Sequence, residues 1–122
     1  METIGIGVIG CDDMGRHLAI SAHAVEGLEV IYVSDSQEAL AEKLAADLNV
    51  SWTSDYHELL SDDRVHVVLI ATPPSQEIVT DTVAAGKYNF HSIAPLDTEG
   101  IQQMLIEHLL PPEEFFDNLR NT

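Results

Sequence analysis

The chain has 122 residues, 45% of them hydrophobic, which suits one domain burying roughly two-thirds of the surface its unfolded form exposes and argues against disorder. With 21 acidic residues against 5 basic ones and a formal net charge of -16, it is a poor partner for nucleic acid or an anionic membrane surface, both of which need a positive field. No apolar run approaches the roughly 20 residues of a membrane span, and the N-terminus lacks the basic-then-apolar layout of a secretory signal, so the expected location is cytoplasmic. Cys11 is the single cysteine, which excludes an intrachain disulfide, a cysteine zinc cluster and a CxxC redox pair, and leaves a small buried thiol. The acidity fits either a high-salt cytoplasm or a highly soluble protein with a basic partner.

From Ile4 to Ile9, Ile and Val alternate with Gly, the pattern of a buried strand whose glycines allow close backbone approach, and Gly10 ends it. Asp13 to Val25 places Met14, Leu18, Ala22 and Val25 on one helical face, with Gly27 closing the helix. Leu28 to Ser34 is a second strand ending at Asp35, and Gln37 to Leu48 a helix carried by Leu40, Leu44 and Leu48. Val50 to Thr53 is a short third strand, and Asp55 can cap a helical turn from Tyr56 to Leu60. The near-continuous apolar run Val65 to Ala71 is a central strand. Thr72-Pro73-Pro74 stops it, a helix from Pro74 or Ser75 runs through Ala85, and Gly86 ends that helix. Tyr88 to His91 is a fifth strand, and a helix from about Thr98 to Leu110 stops at Pro111-Pro112.

Strands alternating with helices imply an α/β fold, a Rossmann-like three-layer sandwich with an open parallel sheet of about five strands in order 3-2-1-4-5. Residues 1–110 form this domain and residues 111–122 a short acidic, aromatic tail. Ligands of such sheets sit at the carboxyl ends of the strands where the order reverses, which brings together the loops Gly10–Gly15, Asp35–Gln37 and Ala71–Ser75.

The first of those loops, Gly10-Cys11-Asp12-Asp13-Met14-Gly15, stands where a G-x-G-x-x-G phosphate loop belongs, with Asp12 in place of the middle glycine. That glycine leaves room for a pyrophosphate, so Asp12 puts a side chain and a negative charge in its place. Two like charges about 4 Å apart repel by roughly 1 kcal/mol in water-like surroundings and about 4 kcal/mol at an effective dielectric near 20. Dinucleotide binding is therefore weakened or lost; alternatively, Asp12 or Asp13 simply caps the helix and the loop binds nothing. Gly5-x-Gly7-x-x-Gly10 also matches the spacing but lies inside the strand. Asp35, at the end of the second strand, is placed to accept hydrogen bonds from an adenosine ribose and to disfavour a 2′-phosphate, favouring NAD over NADP; as a turn aspartate it would only cap the next helix.

The segments Ile6-Gly7-Val8-Ile9-Gly10-Cys11, Met14-Gly15-Arg16-His17-Leu18, Gly27-Leu28-Glu29-Val30 with Val33-Ser34-Asp35, Tyr56-His57-Glu58-Leu59-Leu60, Val68-Leu69-Ile70-Ala71-Thr72-Pro73-Pro74 and Ala85-Gly86-Lys87 occur in order along the chain. Together they resemble the N-terminal half of the glucose–fructose oxidoreductase and inositol dehydrogenase family, Gfo/Idh/MocA, over residues 4 to about 98. The resemblance implies a nicotinamide dinucleotide held at Gly10, Gly15, Asp35, Thr72 and Pro73; Asp12 and Met14, in the same loop, complete the expected cofactor-binding set. It also implies a Glu-Lys-Pro motif after the fifth strand, where this chain reads Ile93-Ala94-Pro95. Alanine cannot move a proton, and the family's substrate domain has no counterpart here, so no catalytic residue is assigned and independent dehydrogenase activity is not expected.

The six histidines are scattered without metal-ligand spacing, so no metal site is assigned; His91 is the one candidate for a residual acid or base. Asp62-Asp63 suits a solvated turn, and Trp52 and Tyr56 suit packing on a sheet edge or a partner. Phe115, Phe116 and Leu119 could share one side of a turn in the tail, folded back on the domain or used in self-association. Two functions stay open: a stand-alone NAD-binding-like domain of a former oxidoreductase, possible pseudoenzyme and homo-oligomer, or a non-enzymatic regulatory protein acting through self-association or a protein partner. Another adenine-containing ligand, such as coenzyme A or an adenylate, is a third alternative.

Overall fold

The computed structural model describes residues 3–72, 76–91 and 97–109. Among these residues five strands and five helices alternate: β1 (Ile4–Ile9), α1 (Asp13–His23), β2 (Leu28–Ser34), α2 (Glu38–Leu48), β3 (Ser51–Thr53), α3 (Tyr56–Leu60), β4 (Val67–Ile70), α4 (Gln76–Ala84), β5 (Tyr88–His91) and α5 (Thr98–Leu109). The strands form one sheet in the order β3-β2-β1-β4-β5, all neighbours parallel, as the alternating pattern predicts.

The period of two along β1 divides the core. Ile4, Ile6 and Val8 are fully buried on one face of the sheet with Val30, Val33, Leu69, Leu18 and Leu44. Ile9, Val68 and Ile70 face the other way, packed with Leu59, Leu60 and Val65. Each fully buried side chain of this size contributes about 1.5–3 kcal/mol, so the sheet interior is the main source of stability. The glycines of β1 are on the second face for a packing reason: a Cβ on Gly7 would lie 2.6 Å from Leu59 Cδ2, so its absence lets α3 close on the sheet.

Helices α1 and α2 cover the first face and α3 and α4 the second. Helix α5 joins the α1 layer through buried Ile101 and Leu105. It runs beside α1 in the same direction: His17 Nε2 lies 3.1 Å from Thr98 Oγ1, and Gln102 Nε2 donates to the Ser21 carbonyl at 3.2 Å.

Element ends depart from the sequence pattern in small ways with local causes. α1 stops at His23 rather than Val25, because Val25 N–H turns back to the Ala22 carbonyl at 3.1 Å. β4 begins at Val67 although the apolar run begins at Val65; the Val65 N–H bonds the Asp62 carbonyl at 3.0 Å, tying it to the preceding turn. Val65 is buried all the same, so its hydrophobicity serves the core without serving the strand. That turn is held by the Asp62 carboxylate, which accepts from Arg64 Nε at 3.0 Å and Nη2 at 2.7 Å. The expected Pro74 or Ser75 start of α4 and the tail from residue 110 lie outside the described residues.

The tightest packing is where α1 leaves β1. A Cβ on Gly15 would sit 1.6 Å from the Gly10 carbonyl oxygen, a backbone atom that cannot swing aside. Replacing Gly15 by Ala should therefore lower the free energy of unfolding in urea by about 3 kcal/mol. A loss below about 1 kcal/mol would mean that the loop shifts to accommodate the methyl group.

Candidate functional site

The strand ends on either side of the order reversal are tied to one another by backbone bonds. Gly10 leaves β1 with φ 102°, a left-handed conformation that favours glycine, and its N–H donates to the Ser34 carbonyl at 2.8 Å. On the other side, the Ala71 N–H donates to the Ile9 carbonyl at 2.9 Å. A Cβ on Gly10 would meet Thr72 Cγ2 at 2.9 Å, so the loop after β1 lies directly against the loop after β4.

Asp35 links the other neighbour. Its Oδ2 accepts from the Cys11 N–H and its Oδ1 from the Gln37 N–H, both at 2.8 Å. One carboxylate thus pins the first loop to the second and starts the turn into α2. The two bonds together also fix the carboxylate's own direction. Beside it, the buried Cys11 thiol donates to the Ser34 carbonyl at 3.3 Å. Burial, reinforced by the Asp35 charge, pushes this thiol up to about 12, so it is no nucleophile at neutral pH.

Asp12 is the N-cap of α1. Its φ of -73° and ψ of -167° are ordinary extended values, so the backbone here does not require glycine. Its Oδ1 accepts from the Gly15 N–H at 3.4 Å, and its carbonyl accepts from the Arg16 N–H at 2.8 Å. The Arg16 guanidinium is turned away to Asp47 of α2, at 2.5 Å. The first turn of α1 therefore holds a carboxylate of its own. Among the residues singled out from sequence, Gly10, Asp12, Gly15, Asp35 and Thr72 converge on this edge. Met14 is half-buried against the α1 side of the core, and Pro73 lies outside the described residues, as do Ile93 and Ala94. Among the described residues, the buried Thr72 hydroxyl has no hydrogen-bond partner.

A second cluster, which the linear pattern does not reveal, joins α3 to α4. The Tyr56 hydroxyl donates to Asp81 Oδ2 at 2.5 Å, His57 Nε2 lies 3.1 Å from the same oxygen, and His57 Nδ1 lies 2.8 Å from Asp55 Oδ1. Asp55 also caps α3 through the His57 N–H at 3.0 Å. The Tyr56 and His57 rings stack with centroids 4.2 Å apart. Tyr56 thus packs between helices rather than at a sheet edge. An imidazole with a carboxylate at each nitrogen can satisfy both only as the doubly protonated cation. Accordingly His57 is raised above its usual value, by the hydrogen bonds to Asp55 and then Asp81; Asp81 is lowered chiefly by the Tyr56 hydroxyl and Asp55 by the His57 N–H.

The sign of the pH effect follows from the raised His57 value. The stabilisation is complete below the unfolded value near 6.5 and disappears as pH rises through the raised folded value. Relative to His57→Gln, the wild-type melting temperature should therefore fall as pH is raised through that interval. A gap that does not change with pH would rule out a charged His57. All these groups are solvent-accessible, so the effect is a modest one.

This fold and this loop arrangement agree with three comparisons. The model of the oxidoreductase family with an NAD-binding Rossmann fold, Gfo/Idh/MocA, matches residues 4–94. The chain belongs to that family, as a Rossmann NAD-binding domain. It is 33% identical over 93 residues to the inositol 2-dehydrogenase of Salmonella typhimurium, covering 71% of this chain and 26% of that protein. It is also 30% identical over 93 residues to the redox-sensing transcriptional repressor Rex of Streptomyces griseus, covering 74% of this chain and 37% of the repressor. Among solved structures, GenD2 from gentamicin A biosynthesis in complex with NAD superposes with a TM-score of 0.71 at 29% identity, covering 75% of this chain and 27% of GenD2. The chain thus spans between about a quarter and somewhat more than a third of the length of these relatives.

The residues present suit the family's dinucleotide at one end and oppose it at the other. Asp35 stands fixed at the end of β2, and the Gly10–Gly15 contact keeps the tight turn. At the first turn of α1, where a pyrophosphate would seek unpaired N–H groups, the Asp12 carboxylate already holds one of them.

Proposed function

We propose that this edge binds NAD weakly, chiefly through its adenosine half, in preference to NADP, and that the 122-residue chain does not by itself turn over a polyol or sugar. The observation that carries this reading is the Asp35 carboxylate, anchored by the Cys11 and Gln37 N–H groups at the carboxyl end of β2. Each of its oxygens retains acceptor capacity for a ribose hydroxyl. A 2′-phosphate at the same place meets a negative charge instead, which costs roughly 1 kcal/mol in water-like surroundings and more when shielded from solvent. Gly10, Gly15 and Thr72 line the adjoining turn, with Pro73 expected beside them.

When bound, the nicotinamide ring supplies hydride chemistry; the residues of this chain would hold the adenosine end and contribute no acid or base to that step. Turnover would depend on groups beyond those that match the family, such as a second protein chain.

A regulatory role through self-association is the second reading. Both outer strands of the sheet expose an aromatic side chain, Trp52 on β3 at 38% and Tyr88 on β5 at 66%, and one relative is a transcriptional repressor by name. If that reading holds, Trp52→Ser or Tyr88→Ser should shift the sedimentation of the folded chain toward a smaller species.

Calorimetric titration with NAD, NADH and NADP tests the first reading. Saturable binding should be tighter for NAD than for NADP, and Asp35→Ala should abolish the difference. Asp12→Gly should strengthen NAD binding by about tenfold, the effect of relieving one close like-charge contact. An NAD affinity unchanged in Asp12→Gly would remove this loop from the site. Steady turnover of inositol by the purified chain alone would overturn the assignment of no catalytic group.

A further inference from the structure

The mismatch at Asp12 bears on what this edge binds, granted the reading that it holds an adenosine. In a phosphate-binding turn, the helix N-terminus offers unpaired N–H groups and a partial positive charge to an anion that arrives with the ligand. Here the anion belongs to the chain. Asp12 takes the N-cap with relaxed extended torsions and accepts from the Gly15 N–H. Because it is covalently attached, it competes at a high effective concentration with any phosphate from solution.

The surroundings do not offset its charge. Arg16, in the same turn, is paired with Asp47, and the carboxylate of Asp35 stands across the loop, bonded to the Cys11 N–H of the residue preceding Asp12. With a chain net charge of -16, the long-range field also opposes a second anion. A pyrophosphate at this turn would compete with Asp12 for the Gly15 N–H and lie close to the Asp12 carboxylate, with Asp35 across the loop. A 5′-hydroxyl can instead donate a hydrogen bond to Asp12, and a 5′-ammonium gains a charge-assisted one.

We infer that this edge selects adenine nucleosides whose 5′ substituent is neutral or cationic over those that carry a pyrophosphate, with Asp12 reading the charge of that substituent and Asp35 holding the ribose. Asp12 is then the specificity-determining residue, serving as recognition group as well as helix cap.

The test is calorimetric titration of the full chain with adenosine, 5′-amino-5′-deoxyadenosine and NAD, at low and high salt, for the wild type, Asp12→Gly and Asp12→Asn. Asparagine keeps a capping side chain while removing the charge, so it carries the test if the glycine variant folds poorly. In the wild type the aminonucleoside should bind most tightly and NAD least. Added salt should weaken the aminonucleoside and strengthen NAD, as screening of opposite and like charges requires. Either Asp12 variant should raise NAD affinity by about tenfold, lower that of the aminonucleoside by a similar factor, and move adenosine by less than about threefold.

NAD binding more tightly than both nucleosides in the wild type, with the ratios unmoved by Asp12→Asn, would overturn this inference and leave the cofactor reading intact. Binding of none of the three ligands to the folded chain would overturn both. Nucleoside binding in the expected order but indifferent to Asp35→Ala would overturn the placement of the ribose.

Discussion

The contact between the Gly15 backbone and the Gly10 carbonyl is the constraint on which the rest of this molecule turns. It brings the first turn of α1 down onto the end of β1 more closely than any side chain would allow. Everything at the carboxyl edge of the sheet is positioned from there. Once α1 starts so near the strand, the Cys11 N–H points to β2 and finds Asp35, and Asp12 falls at the cap. The same close start seats Leu18, Ala19 and Ala22 on the sheet, so the geometry of the loop and the burial of the helix are one arrangement.

Much of this was legible in the linear sequence, because the signals are local. The Ile-Gly alternation of β1, the switch from a period of two to one of 3.6, and glycines at element ends depend on residues within a few positions of each other. Parallel pairing followed from alternation and handedness, while the particular order 3-2-1-4-5 needed the dinucleotide-type turn after β1 as well. Asp12 as a cap and Asp35 at a strand end were both readable as positions. Their bonding was not, since the Cys11-to-Asp35 link spans 24 residues and exists only because two parallel strands end side by side. The cluster of Asp55, Tyr56, His57 and Asp81 was illegible for a stronger reason. Asp81 reaches it across the packing of α3 against α4, and no periodicity records which exposed face of one helix meets another. Val65 misled in the opposite direction: it is as buried as a strand residue while belonging to a turn.

The acid at position 12, where the expected motif has a glycine, is compatible with the local backbone. Asp12 sits in a conformation open to any residue and improves the helix start. A capping acid at this position therefore asks no special torsion of the backbone, and its charge faces whatever approaches the turn. Fold and ligand contact are separable at this one position, since the cap serves the helix whatever binds beside it.

The direction of α5 separates two ends of the molecule. Because it lies parallel to α1, with Thr98 beside His17 and Gln102 beside Ser21, it carries the chain over its 12 residues, about 18 Å, away from the carboxyl edge of the sheet toward the opposite rim. A label attached near the end of that helix would therefore sit away from the carboxyl edge of the sheet and leave the loops after β1, β2 and β4 undisturbed.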